Sequence, residues 1–217
     1  MKMHKTCLKS VILAAIATLP LLATAETIEL HTTPTSDGAL LDTRKVWENE
    51  PNKITDLDMI ANVGSFYGML SVAILEFSLP PKENRPAGKI RSAKLVVSAN
   101  HGEGADANTL SNVDVDIYGY DDQNANGVVE YADWSAGKKL GRWLTKDETV
   151  IGMGAPMPAF DVTAFVQAAL DAKKPFIGFR LQADGVENGV EQIISVRTAE
   201  FGEANGLPNA PRLVLEY

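Results

Sequence analysis

The chain has 217 residues, 45% of them hydrophobic, with a formal net charge of −8, one cysteine and three histidines. An acidic balance without a basic run excludes nucleic acid and anionic membrane surfaces as natural partners. A single cysteine excludes a disulfide scaffold, and after residue 25 no apolar stretch is long enough to span a bilayer.

The first 25 residues read as a secretory signal peptide. Lys2, Lys5 and Lys9 make a positive start, residues 11–22 form a short apolar run, and Ala23-Thr24-Ala25 is a small-x-small cleavage site before Glu26. Cys7 and His4 leave with this segment, and the loss of three lysines takes the charge from −8 to −11. The chain is therefore expected to be exported: secreted, periplasmic or held at the cell surface. Residues 26–217 have the length and apolar share of one domain with a full core.

Short strands then recur between turn signals. Residues 27–33 alternate, with Ile28 and Leu30 on one face; residues 34–63 are polar and irregular and are expected to hold loops with one or two short strands. Residues 70–79 (LSVAILEFSL) form the strongest strand, with Ala73, Leu75, Phe77 and Leu79 facing the core and Pro80-Pro81 ending it. Residues 90–99 follow, with Ala93, Leu95 and Val97 inward, then a Gly-, Asn- and Asp-rich loop containing His101, read as a solvated histidine. Residues 113–120 (VDVDIYGY) alternate like a strand, and a weaker strand signal covers 139–145. Val162, Phe165, Val166, Ala169 and Leu170 recur at helical spacing, with Asp161 or Thr163 to cap the start and Pro175 to stop the run. Strand signals at 176–183, 192–198 and 212–217 close the chain. This pattern predicts an all-β fold with one short helix, a β-sandwich or barrel. Its core is expected to hold Leu75, Phe77, Leu79, Leu95, Val97, Val115, Ile117, Phe179, Leu181, Leu213 and Leu215.

Between the strands at 113–120 and 139–145 lies the segment DQNANGVVEYAD. Asp122, Asn124 and Asn126 place oxygen-bearing side chains at alternate positions, Gly127 supplies a sharp turn, Val128 offers its carbonyl, and Glu130 and Asp133 stand ninth and twelfth. Calcium is a hard cation that takes six to eight oxygens, and this segment resembles an EF-hand calcium loop. Strand-like flanks replace the helices of an EF-hand, so the expected site is a lone calcium loop between strands. The same residue types also compose an ordinary polar turn.

Several phrases, "LEFSLPPKENRPAGKIRSAKLVVSA", "VDIYGY", "FDVTAFVQAAL", "FIGFRL" and "SVRTAEF…PNAPRLVLEY", resemble in order the DNRLRE family, also called disaggregatase-related. That family includes carbohydrate-binding modules for acidic polysaccharides. The resemblance implies a jelly-roll sandwich acting as a non-catalytic surface or secreted module, and it assigns no ligand residues.

The residues that would carry catalysis are sparse. No H-E-x-x-H or other close histidine pair points to a zinc enzyme, no G-x-S-x-G is present, and no cysteine follows residue 25. Carboxylates are plentiful, so a polysaccharide-degrading enzyme stays as an alternative. Sugars stack their C–H faces on aromatic rings. Trp47, Tyr67 and Trp143 are the candidate ligand-binding residues, whereas Trp134 is expected to pack the loop onto the core. The expected partner is a polysaccharide or surface glycan. A structural or adhesive surface protein with a protein partner is the rival reading.

Overall fold

The computed structural model describes residues 26–42, 53–55, 60–66, 69–98, 113–144, 158–186, 192–206 and 210–217. The expected signal peptide and the candidates Trp47, Tyr67 and His101 lie outside the described residues. Two antiparallel sheets face each other across a common core. The smaller sheet runs in the order β1 (Thr27–His31), β12 (Arg212–Glu216), β6 (Ser92–Val96), β9 (Phe160–Asp161). The larger runs β11 (Gln192–Arg197), β4 (Ile60–Phe66), β5 (Met69–Ser78), β10 (Phe176–Asp184), β7 (Asp114–Tyr120), β8 (Lys138–Leu144), with β2 (Asp37–Asp42) paired to β5 and to β3 (Lys53–Thr55).

Alternation in the strands produces this layering directly. On β5, Ala73, Leu75 and Phe77 point into the sandwich and are sealed from solvent. On β6 and β12, Ala93, Leu95, Leu213 and Leu215 meet them from the other sheet. All eleven residues expected in the core are buried there. Helix α1 (Thr163–Asp171) closes one end of the sandwich, adding Val166, Ala169 and Leu170 to the core. The N-cap position falls to Val162, neither of the two expected residues, and Asp161 just before it accepts the Thr163 amide at 2.9 Å. At the far end the Lys173 amide donates to the Leu170 carbonyl and the Lys174 amide to the Ala169 carbonyl. This is a Schellman closure. Lys173 sits at its left-handed position, with φ of 58°, where glycine is usual.

Two details differ from the sequence expectation. A second helix, α2 (Ala199–Asn205), is too short to display an apolar repeat. The irregular stretch after residue 34 supplies the short strands expected there, β2 and β3, and also the start of β4, whose Ala61, Asn62 and Gly64 signal a strand weakly.

Strand β2 and helix α2 meet at one buried carboxylate. Asp37 of β2 is fully buried and lies opposite Leu75 of β5. One of its oxygens accepts the Thr32 hydroxyl at 2.6 Å and the first amide of α2, from Ala199, at 2.8 Å. Burial pushes its carboxyl up to about 7, assisted by the nearby charges of Glu200 and Glu203 and opposed by those two hydrogen bonds. Because the folded value lies above the unfolded one, the stability it confers is full in acid and lost as pH rises to about 7. Between pH 5 and pH 8 the wild-type chain should lose about 3 kcal/mol more stability than an Asp37→Asn variant, at 1.36 kcal/mol per unit. Parallel urea melts of the two chains at both pH values check this; equal pH slopes would mean that Asp37 is ionised in the fold.

Candidate functional site

Residues on β5 alternate between two environments. Leu75 and Phe77 enter the sandwich, while Val72, Ile74 and Glu76 point to the other face of the large sheet. That outer face is covered here by the segment joining β7 to β8. Val129 and the half-buried Trp134 pack on Leu40, Val72 and Ile74. Ala125 and Ala136 pack on Tyr120 and Phe176. Gly127 turns with φ of 85° and passes so near Phe176 that a Cβ would lie 2.8 Å from its ring. The sharp turn at Gly127 is thus where the loop pattern placed it.

Two charged residues of the sheet clamp the segment. Glu76 is 0% exposed. One of its oxygens accepts the Tyr120 hydroxyl at 2.8 Å; the other accepts the amides of Asn126 at 3.0 Å and Gly127 at 2.5 Å. Gly178 stands between Glu76 and Tyr120 in the strand register. The tyrosine ring crosses directly over it, and a Cβ there would fall 2.0 Å from the ring. Burial raises the Glu76 carboxyl above its ordinary range despite these donors, and burial followed by the Glu76 charge pushes the Tyr120 hydroxyl up as well. Farther along, Arg180 of β10 donates to the carbonyls of Trp134 at 2.7 Å and Ala136 at 3.1 Å. Its guanidinium lies 4.2 Å from the centre of the Tyr118 ring. An anion therefore takes the amides at the start of the segment and a cation takes the carbonyls at its end.

The expected calcium ligands occupy this clamped segment. Asp122 accepts the Asn124 amide at 3.0 Å, and Asn126 accepts the Val128 amide at 2.9 Å. Asp133 begins inside a 3-10 turn (Tyr131–Ser135) and is fully buried. Its Oδ2 accepts the Glu130 amide at 2.8 Å, but its Oδ1 is buried with no hydrogen-bond partner. Burial raises its carboxyl to about 7, and the charges of Glu76, Glu130 and Asp122 push in the same direction. Among the described residues no three His, Cys, Asp or Glu side chains are already gathered at metal-ligand spacing. The donor set nevertheless fits a hard cation: a carbonyl oxygen has two lone pairs, so Asn126 can keep its turn and still ligate.

The aromatic candidates separate clearly. Trp143 is 7% exposed, belongs to the core, and donates its indole N–H to the Pro158 carbonyl at 2.7 Å. That burial corrects the expectation that it presents a face to a ligand. Trp134 instead reaches a groove of about 260 Å³ on the outer face of the large sheet, lined also by Ser71, Val72, Gln182 and Asp184. Its ring stacks on Tyr131, with centroids 6.1 Å apart. Beside the groove Arg142 binds Asp184, Asp116 and Asp114 together. Burial opposes ionisation of Asp116, but Arg142 and Lys139 outweigh it and hold its carboxyl below the usual range.

Sequence reading missed Glu76, Tyr120 and Arg180. Each sits on the outward parity of its strand, which pattern assigns to solvent. The signal that was available is a charged residue in an otherwise apolar strand, as in LSVAILEFSL and FIGFRL.

Replacing Glu76 by Ala should strand three donors at once and cost about 2–4 kcal/mol, less than their summed penalties because the loop can open to water. Glu76→Gln, which keeps an acceptor oxygen, should cost less. Hydrogen exchange read at the Asn126 and Gly127 amides is the check, and unchanged protection in Glu76→Ala would remove the clamp from the account. No family model matches this chain, and no curated protein matches it.

Proposed function

We propose that the chain is an exported, non-catalytic module that binds polysaccharide in the groove beside Trp134, with one calcium ion held by the adjoining loop. The observation that carries this reading is the composition of the groove. An aromatic ring stacked on a second ring lines the same space as Gln182 and Asp184, an amide and a carboxylate. A sugar offers the matching chemistry, C–H faces for the ring and hydroxyls for the polar groups. Glycoside hydrolysis needs two well-placed carboxyl groups. Among the described residues lining the groove Asp184 is the one carboxylate, and it is already bonded to Arg142 at 2.6 Å. The resemblance to the DNRLRE family and the signal-like first 25 residues support the same reading.

Calcium would be held by Asp122, Asn124, Asn126, the Val128 carbonyl, Glu130 and Asp133. It would give the buried Asp133 Oδ1 a partner and offset the repulsion among the carboxylates around it. Trp134 follows Asp133 directly, so an ion there would also steady one wall of the groove.

Affinity electrophoresis and calorimetry against a panel of neutral and acidic polysaccharides test the binding. Weak saturable binding without product release is expected, and Trp134→Ala should reduce it about tenfold or more, at 1–3 kcal/mol for a lost stacking platform. Folded protein that binds none of the polymers, yet assembles as its concentration rises, would favour the adhesive reading.

Two neutral ligands and a short twelfth side chain suggest calcium affinity on the order of 10⁻⁴ M. At about 1 mM calcium that gives ~1.4 kcal/mol and a rise in Tm of about 3–6 °C. Asp122→Ala should abolish the rise, and magnesium should give less. A Tm indifferent to calcium, or a variant that responds equally, would leave the segment as a polar turn.

A further inference from the structure

The pocket with the most room among those described lies away from the groove, at the end of the sandwich closed by α1. It encloses about 470 Å³ between the 3-10 turn Lys82–Asn84, the end of α1 and Tyr217. Its charge runs against that of the chain. Lys82, Arg85 and Lys173 line it, in a protein with a net charge of −8. Among the described residues lining it Asp171 has the one carboxylate side chain, and Gln167 already donates to it at 2.7 Å.

Three features mark a built site and not a chance gathering of surface lysines. Arg85 is anchored: its Nε donates to the Pro80 carbonyl at 2.5 Å and its Nη1 to the Leu170 carbonyl at 3.1 Å. These bonds use two of the five guanidinium donors and fix the plane of the rest. Tyr217 lines the pocket and is 8% exposed, and its hydroxyl is buried without a hydrogen-bond partner. A buried hydroxyl left unpaired is costly unless something supplies its partner. Finally, Lys173 is the one described non-glycine residue with positive φ, at 58°. A Schellman closure prefers glycine there, so a lysine stands at the rim of the pocket at a cost in backbone strain.

We infer that this end pocket binds a small oxyanion, a phosphate or carboxylate group, held by Arg85, Lys82, Lys173 and the Tyr217 hydroxyl. Arg85 supplies in-plane donors, the two lysines supply charge, and the tyrosine donates its hydrogen to the ligand. The inference stands apart from the polysaccharide groove and from the calcium loop, with which the pocket shares no lining residue.

The test is titration of the chain with inorganic phosphate and, separately, with citrate, followed by calorimetry and by thermal melts at constant ionic strength. Saturable binding with Kd on the order of 1 mM or tighter is expected for at least one of them. Saturation by phosphate alone assigns a phosphate ligand, and saturation by citrate alone a carboxylate. Lys173→Gly is the discriminating variant. It should melt higher than wild type, because glycine is at ease at this φ, and yet bind the anion about tenfold more weakly. Tyr217→Phe should also bind several-fold more weakly while folding normally. Binding that does not saturate, or affinity unchanged in both folded variants, would overturn the site.

Discussion

The outer face of the large sheet depends on one buried carboxylate. Glu76 lies where sandwich geometry would put a solvated residue, but it is sealed beneath the loop that follows β7. A carboxylate under such a cover must have its lone pairs taken, and Glu76 has them taken by Tyr120, Asn126 and Gly127. The dependence runs both ways: the loop supplies the amides that make the charge tolerable, and the charge fixes where the loop sits. Gly178 is part of the same device, because a side chain there would occupy the space of the Tyr120 ring.

Arg180 completes the arrangement from the other side. It takes two carbonyls at the end of the 3-10 turn, as a cation does at a helix C-terminus. The segment is held at the Asn126 and Gly127 amides and again at the Trp134 and Ala136 carbonyls, while Asp122, Asn126 and Glu130 stay exposed. Asp133 is the exception, buried with one oxygen unpartnered. A loop anchored in this way is preorganised around a point of negative charge, and the next residue, Trp134, is both a packing residue and a groove wall. The loop and the groove are therefore neighbours along a few residues of chain.

Polar groups elsewhere follow the same logic of paired burial. Asp37 is tolerated inside the sandwich because β2, Thr32 and the start of α2 converge on it. Arg142 gathers Asp114, Asp116 and Asp184, which would otherwise repel one another along the edge of the large sheet. An acidic protein needs such devices, since like charges on neighbouring strands destabilise a sheet.

The amino-acid sequence by itself determined the layers. Period-two apolar patterning in 70–79, 90–99, 113–120, 176–183 and 212–217 specified both the strands and the inward parity of Leu75, Leu95, Ile117, Phe179 and Leu213, because a one-residue slip would turn every side chain over. It also determined the helix at Thr163–Asp171 and the turn at Gly127, where local chemistry suffices. Tertiary structure alone decided what the outward parity would face. Pattern reads Glu76 and Arg180 as solvent-facing, and only the folding back of the loop over the sheet makes them buried clamps. It likewise decided between the tryptophans: Trp143 turned into the core and Trp134 to the groove, a choice set by neighbours from distant strands that no local spacing encodes. The end pocket has the same origin, since Lys82, Lys173 and Tyr217 are brought together only when the two sheets and α1 close on one another.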